Sequence, residues 1–236
     1  MTMPGYRTKL ESIAIAGVGN LFIRSLLDRQ QYYDPDGAAE RLGIGPAVWP
    51  LFGLLWPSAL HLAAQLALRP VCADEKILEI GCGLGLASLV GHRRGARITA
   101  SDCHPLAGDF LRENLLLNDL CASLRYKHGQ WGEARPASIL DAGRIQLSSR
   151  YDLIIGSDLL YDRDMPAELA AFIDQHAVDD AEVWIVDPNR GHRPAFNRNM
   201  AALGFALQQD MQLSSLPPQA DSPAAPYKGR MLVYRR

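Results

Sequence analysis

From Lys76 onward, short apolar runs alternate with longer segments whose apolar residues recur at helical spacing. The runs Lys76 to Ile80, Arg97 to Ser101, Ser123 to Lys127, Asp152 to Gly156, Val183 to Asp187, Phe205 to Gln212 and Met231 to Tyr234 read as strands. Between them, Leu86 to Gly95, Pro105 to Leu117, Pro166 to His176 and Arg193 to Leu203 read as helices. Alternation at this spacing predicts βαβ units, and hence a parallel sheet covered by helices on both faces. The last two strands lie close enough in sequence to pair antiparallel. The expected fold is therefore α/β: a Rossmann-like, doubly wound, seven-strand sheet with an antiparallel last strand.

Upstream the pattern leaves more open. Two apolar runs, Ser12 to Ala16 and Leu21 to Leu27, are divided by Gly17-Val18-Gly19-Asn20, which fits a strand hairpin or a broken helix equally well. Asp34-Pro35 offers an N-cap with Pro at the first helical position, and Gly43 a stop, so a short helix is expected between them. Trp56-Pro57-Ser58 opens a further apolar helix that closes before Pro70. This predicts an N-terminal extension over residues 1–46, a lid or acceptor-side wall, and one continuous domain over 47–236. The Pro/Ala/Ser-rich stretch from Ser214 to Pro226 reads as a surface loop.

Composition narrows the class of partner. With 236 residues, 48 % apolar and 21 % charged, the chain can bury a sizeable core. A formal charge of −2 lacks the broad basic field of a nucleic-acid binder, so no nucleic acid is expected. Cys72, Cys82, Cys103 and Cys121 are too far apart for a CxxC pair and too few for a disulfide scaffold, which suggests reduced thiols and a cytoplasmic location. The start of the chain has no apolar core ahead of a small-residue cleavage site, and the stretch from Ala47 to Leu68 is broken by Trp-Pro pairs. No membrane partner is expected. The histidines His61, His92, His128, His176 and His192 show no metal-ligand spacing, and no metal is expected.

The chemistry concentrates after the first strand of the series, at Glu79-Ile80-Gly81-Cys82-Gly83-Leu84-Gly85. Glycines at alternate positions let backbone approach a ligand closely, and the helix that follows presents unpaired N–H groups. Asp102, 23 residues beyond Glu79 at the end of the second strand, is placed to accept hydrogen bonds from a ribose diol. Together they specify an adenosine-containing ligand. The dinucleotide fingerprint G-x-G-x-x-G/A fails at Leu86, and a P-loop fails because no Gly-Lys-Ser/Thr follows.

The E-x-G-x-G-x-G run that remains resembles motif I of the class I S-adenosylmethionine-dependent methyltransferases. Four further segments are similar to one branch, the lysine methyltransferase family that includes the electron-transfer flavoprotein β-subunit enzyme and nicotinamide N-methyltransferase-like proteins. They are the Trp49-Pro50 and Leu55-Trp56-Pro57-Ser58-Ala59 entry segment, and Ser101-Asp102-Cys103-His104-Pro105 with Asn114 and Asn118 beyond it. The others are Gly156-Ser157-Asp158-Leu159-Leu160-Tyr161-Asp162, of D-x-x-Y form, and Val186-Asp187-Pro188-Asn189-Arg190, of Asp-Pro-x-Arg form. There are two departures: Gln130 stands before Trp131 where an acidic residue is usual, and an insertion runs from Arg135 to Arg150.

The resemblance implies S-adenosyl-L-methionine as cofactor and N-methylation as the activity, of protein lysine or alternatively of a small amine of the nicotinamide type. A third possibility is a cofactor-binding interaction module without turnover. The implied cofactor contacts are Trp56, Glu79, Gly81, Gly83, Gly85, Asp102, Cys103, Gln130, Trp131 and Ser157, with Glu79 expected either to fix the loop or to bind the cofactor's ammonium. Asp158 and Tyr161 fall on the acceptor side as candidate catalytic residues. Trp56 could close the pocket or sit in the core. Asp187, Asn189 and Arg190 could line the acceptor pocket or shape a turn, and His104 is expected to be structural.

Overall fold

The computed structural model describes residues 5–132, 145–214 and 226–236. The greater part of the Arg135 to Arg150 insertion and of the Ser214 to Pro226 stretch lies outside the described residues.

The first apolar runs resolve as a hairpin, β1 (Thr8–Ile15) and β2 (Gly19–Leu26), in antiparallel register with Thr8 opposite Leu26. A short helix α1 (Ala38–Arg41), a 3-10 turn over Trp49–Gly53 and helix α2 (Pro57–Leu68) lead into the main sheet. It comprises β3 (Lys76–Ile80), β4 (Arg97–Asp102), β5 (Arg125–His128), β6 (Tyr151–Ser157), β7 (Ala177–Asp187), β8 (Ala206–Gln212) and β9 (Arg230–Arg235). Its helices are α3 (Leu86–Arg93), α4 (Ala107–Leu117), α5 (Met165–His176) and α6 (Arg193–Ala202).

The sheet order is β5-β4-β3-β6-β7-β9-β8. β3 through β7 run parallel, and β9 lies antiparallel between β7 and β8. The chain reverses direction between the β4 and β6 sides of β3, and in such sheets ligands gather at the carboxyl edge of that switch point.

Alternate residues of the central strands feed two separate cores, as the period of two in an extended chain requires. Ile77, Ile98, Leu153 and Ile155 pack with α2, α3, α4 and the hairpin. Leu78, Ile80, Ile154, Val183 and Ile185 pack on the other face with α5 and α6. Helix faces therefore cover both sides of the sheet.

The hairpin shares the first of these cores through Ile13, Ile15, Leu21, Ile23 and Leu26. It is held by two amides four residues apart, Asn114 in α4 and Asn118 at its C-cap. Asn114 Oδ1 accepts the N–H of Arg24 at 2.8 Å, and Asn118 Oδ1 accepts that of Phe22 at 2.8 Å. Asn118 Nδ2 donates back to the Phe22 carbonyl at 2.7 Å. Each side chain acts as a peptide group pairing with the free edge of β2, so the hairpin is docked on α4 and its C-cap by backbone-like hydrogen bonds.

The first short helix departs from expectation. It begins at Ala38 and not after Pro35, because Gly37 adopts a left-handed φ of 63° that interrupts any helix started there. Asp34 still caps it from further upstream, accepting the N–H groups of Ala39 at 3.0 Å and Glu40 at 2.9 Å. β7 also starts six residues before Val183. Asp179 and Asp180 read as loop residues, but they stand exposed along a strand that meets β6 across a register shift at Tyr151/Leu153. No helix among the described residues is long and apolar enough to cross a membrane.

Candidate functional site

The carboxyl ends of β3, β4, β6 and β7 converge on a cavity of about 430 Å³. Its walls include Leu51, Phe52, Leu55, Trp56, Gly81 to Leu84, Asp102 to His104, Trp131, Ser157 to Leu159, Tyr161 and Arg190. Motif I supplies one end. Gly81, Gly83 and Gly85 all take left-handed φ values. At Gly83 the requirement is strictest: a Cβ there would stand 2.7 Å from the backbone carbonyl oxygen of Phe52. Only glycine lets the loop pass this close under the 3-10 turn.

Asp102 is 6 % exposed, and each carboxylate oxygen accepts one backbone N–H: Oδ2 from Gly83 and Oδ1 from His104, both at 2.8 Å. Burial pushes its carboxyl pKa up, and these bonds oppose the shift. A carboxylate oxygen has room for a second donor, so the side chain that fixes the loop can also receive a vicinal diol. That is the fit an adenosine ribose needs. The backbone cradle at Gly83 and the mainly apolar walls suit the rest of such a ligand.

Glu79 does not line the cavity. Its Oε2 accepts both the N–H of Ser88 at 2.7 Å and its hydroxyl at 2.5 Å, which holds the first turn of α3 against β3. Complete burial raises its carboxyl to about 7. Gly85 likewise sits beneath the cavity, where a Cβ would meet Leu111. Trp131 lines the cavity and its indole N–H points at Met165 Sδ, 3.0 Å away. Gln130 is not among the described lining residues. Cys103 faces the cavity, and burial beside Asp102 raises its thiol far above the ordinary value. His104 accepts the Leu106 N–H through Nδ1 at 3.2 Å and stacks on Phe52 at 3.6 Å between ring centres.

The opposite end holds the acceptor-side candidates. Asp158 has a left-handed φ of 60°, and its N–H is bonded to the Val186 carbonyl at 2.9 Å. That conformation costs of order 1–3 kcal/mol in a non-glycine residue. It turns the carboxylate back into the cavity, where the side chain is only 8 % exposed. Ser58 donates to Asp158 Oδ2 at 3.3 Å and shares a 2.8 Å contact with the Tyr227 hydroxyl, whose ring stacks on His61. Arg190 forms an ion pair with Asp158 Oδ1. Burial raises the Asp158 carboxyl, and the Arg190 guanidinium counteracts it. Tyr161 lines the cavity at its rim with 39 % of its surface exposed.

Trp56 resolves as a cavity wall and not a core residue, its indole N–H bonded to the Leu51 carbonyl at 2.9 Å. Asp187 is buried; it accepts the Asn189 N–H at 3.1 Å and shapes the turn, while Arg190 reaches the cavity. Ser58, Tyr227, Phe52 and Arg29 were not visible as site residues in the sequence. Ser58 contacts partners 100 and 169 residues away, and no local pattern marks such a pairing.

A sequence profile described as lysine methyltransferase matches residues 42–216. Protein-lysine methyltransferase METTL21E of Mus musculus is 34 % identical over 126 residues, which is 51 % of this chain and 49 % of that protein. The electron transfer flavoprotein beta subunit lysine methyltransferase of Danio rerio is 26 % identical over 152 residues, 61 % of this chain and 54 % of that one. The chain thus spans about half the length of these curated relatives. A methyltransferase structure from Pyrococcus furiosus superposes with a TM-score of 0.55 at 16 % identity, over 76 % of this chain and 82 % of the other, a likeness of fold.

Proposed function

Because the chain belongs to the lysine methyltransferase family, we propose that it is an S-adenosyl-L-methionine-dependent N-methyltransferase acting on a lysine side chain of a protein partner in the cytoplasm. The observation that carries this is a single cavity with two chemically distinct ends. One end offers the Gly83 backbone and the doubly bonded Asp102; the other offers a buried carboxylate beside an aromatic rim. The METTL21E and flavoprotein relatives, named as lysine methyltransferases, support the same acceptor class.

Asp102 would hold the ribose hydroxyls, Gly81 and Gly83 would bring backbone to the amino-acid portion, and Trp131 would wall the adenine. Bound there, S-adenosyl-L-methionine would supply an electrophilic methyl group on a sulfonium, with a neutral thioether as leaving group, to a neutral amine. The chain's own contribution is alignment and exclusion of water. Asp158 would receive the acceptor as an ammonium and hold it in line until its proton passes to water, since only the neutral amine is nucleophilic. Tyr161 would flank the entering chain.

The rim residues Arg29, Val48, Tyr161 and Arg190 are all exposed, so the acceptor end opens to solvent. This suits a side chain reaching in from a large partner better than a small amine enclosed on all sides. Arg29 and Ile44, both before residue 47, line the cavity, which supports reading the extension as an acceptor-side wall. Incubating the purified chain with cofactor labelled in its methyl group and a cell extract, then separating protein from small molecules, tests the assignment. Label in the protein fraction, converted to methyl-lysine on hydrolysis, is the expected result. Label in small molecules alone would identify a nicotinamide-type enzyme. Cofactor binding without transfer would identify an interaction module.

A further inference from the structure

The acceptor end of the cavity already contains a cation, and that cation belongs to the chain. Arg190 pairs with Asp158, and its guanidinium carbon stands 5.8 Å from the centre of the Trp56 ring. A carboxylate on one side and an indole face on the other are the groups that would recognise an alkylammonium. Arg29, from the loop after β2, covers the same indole at 4.7 Å and adds to the positive potential at Asp158. Arg190 has its direct ion pair with Asp158.

Building on the lysine-methyltransferase reading, we propose that Arg190 is a displaceable stand-in for the acceptor ammonium, and that Arg29 and Arg190 select acceptor lysines flanked by acidic residues. The charge balance at the mouth supports this. Asp158 is the carboxylate that Arg190 pairs with directly; the buried Asp187 feels both Asp158 and Arg190, and its Oδ2 accepts the Asn189 N–H. An arriving ammonium is a third cation, and it reaches Asp158 only after Arg190 leaves. Expelling a guanidinium from a carboxylate and an aromatic face into water is unfavourable unless it finds another anion. A carboxylate next to the acceptor lysine provides that anion, and Arg29 holds a second. Arg190 is free to swing because its side chain is 36 % exposed and it follows the exposed turn at Asn189, itself at a left-handed φ of 71°. A lysine in a neutral or basic context lacks this exchange and is rejected by like charge, which is specificity by repulsion.

The test uses the full chain with cofactor and three acetylated, amidated peptides in which one lysine is flanked by two glutamates, two alanines or two arginines on each side. Methyl transfer and the Nε–Hε NMR signals of Arg29 and Arg190, assigned from R29Q and R190Q, are read in parallel. The expected result is at least tenfold higher kcat/KM for the acidic peptide than for the alanine peptide, with both arginine signals shifted by the acidic peptide alone. In R190Q the ratio falls to about threefold or less, chiefly because the alanine peptide improves, and R190K restores part of it. Equal kcat/KM for acidic and alanine peptides, or a preference unchanged in both R29Q and R190Q, overturns the proposal and leaves the methyltransferase reading standing. Shifts of both signals without transfer uphold the cation exchange and overturn that reading. Neither shifts nor transfer with any peptide overturns the proposal.

Discussion

Replacing Gly83 with alanine tests whether the cavity depends on the close passage of motif I beneath the 3-10 turn. Gly83 has a φ of +52°, and a Cβ built there lies 2.7 Å from the Phe52 carbonyl oxygen. The contact is to backbone, so no rotamer relieves it. The turn is itself pinned, since Trp49 and Phe52 are buried and Phe52 packs on His104 and Phe110. An L-residue in the left-handed region costs about 1–2 kcal/mol, and overpacking adds about 1–3 kcal/mol. A total near 3 kcal/mol lowers the melting temperature of a chain this size by about 6–12 °C. Gly95 is the internal control: its φ is +85°, but a Cβ there meets nothing within 4 Å. Gly95→Ala should therefore show the backbone term alone, about 1–2 kcal/mol. Leu51 and Phe52 line the cavity and the Gly83 N–H binds Asp102, so displacing this turn disturbs the site as well. Calorimetric titration should show at least a tenfold loss of S-adenosyl-L-methionine affinity in Gly83→Ala, about 1.4 kcal/mol, and no loss in Gly95→Ala. Equal melting temperatures and equal affinities in the two variants would refute the reasoning.

Asp102→Ala should weaken cofactor binding by about a hundredfold or more in the same titration, about 2.7 kcal/mol, whereas Asp158→Ala should retain binding and lose methyl transfer. Glu79 carries a carboxyl raised to about 7 from 4.5, so between those values the folded chain keeps a proton that the unfolded chain has lost. Its contribution is therefore present in full below about pH 4.5, declines as pH rises and is gone above about 7, a change of about 3 kcal/mol. Urea denaturation across this range should show that slope flattened in Glu79→Gln; an unchanged slope would exclude Glu79 as its source. Asn118→Ala strips the Phe22 N–H and carbonyl of their partner and should cost about 2–4 kcal/mol. Limited proteolysis should then cut the hairpin faster than in the parent chain.

Much of the fold was legible because it rests on patterns the chain repeats locally. All seven sheet strands and the four helices between them occur where alternation and helical periodicity place them. The short helix shifted because a single left-handed glycine outweighed the Asp34-Pro35 start signal, and β7 lengthened because tertiary pairing overrode two acidic residues that favour a loop. Within the site, motif I, Asp102, Asp158 and Tyr161 could be named because each lies at or just beyond the carboxyl end of a strand, and Trp131 because of the family resemblance. Ser58, Tyr227 and Arg29 could not, since their places depend on how separate elements meet.

The sequence by itself therefore determined the α/β alternation, the glycine-rich approach to an adenosine ligand and the near-neutral charge. Those properties depend on spacing, residue size and count, which need no third dimension. Tertiary structure alone decided that the N-terminal runs form a hairpin held by Asn114 and Asn118, and that Glu79 braces a helix instead of touching the cavity. It alone brought Arg29, Trp56, Asp158 and Arg190 together from four distant segments. Charge pairing and ring contacts act over a few ångströms of space, and separation along the chain carries no record of them.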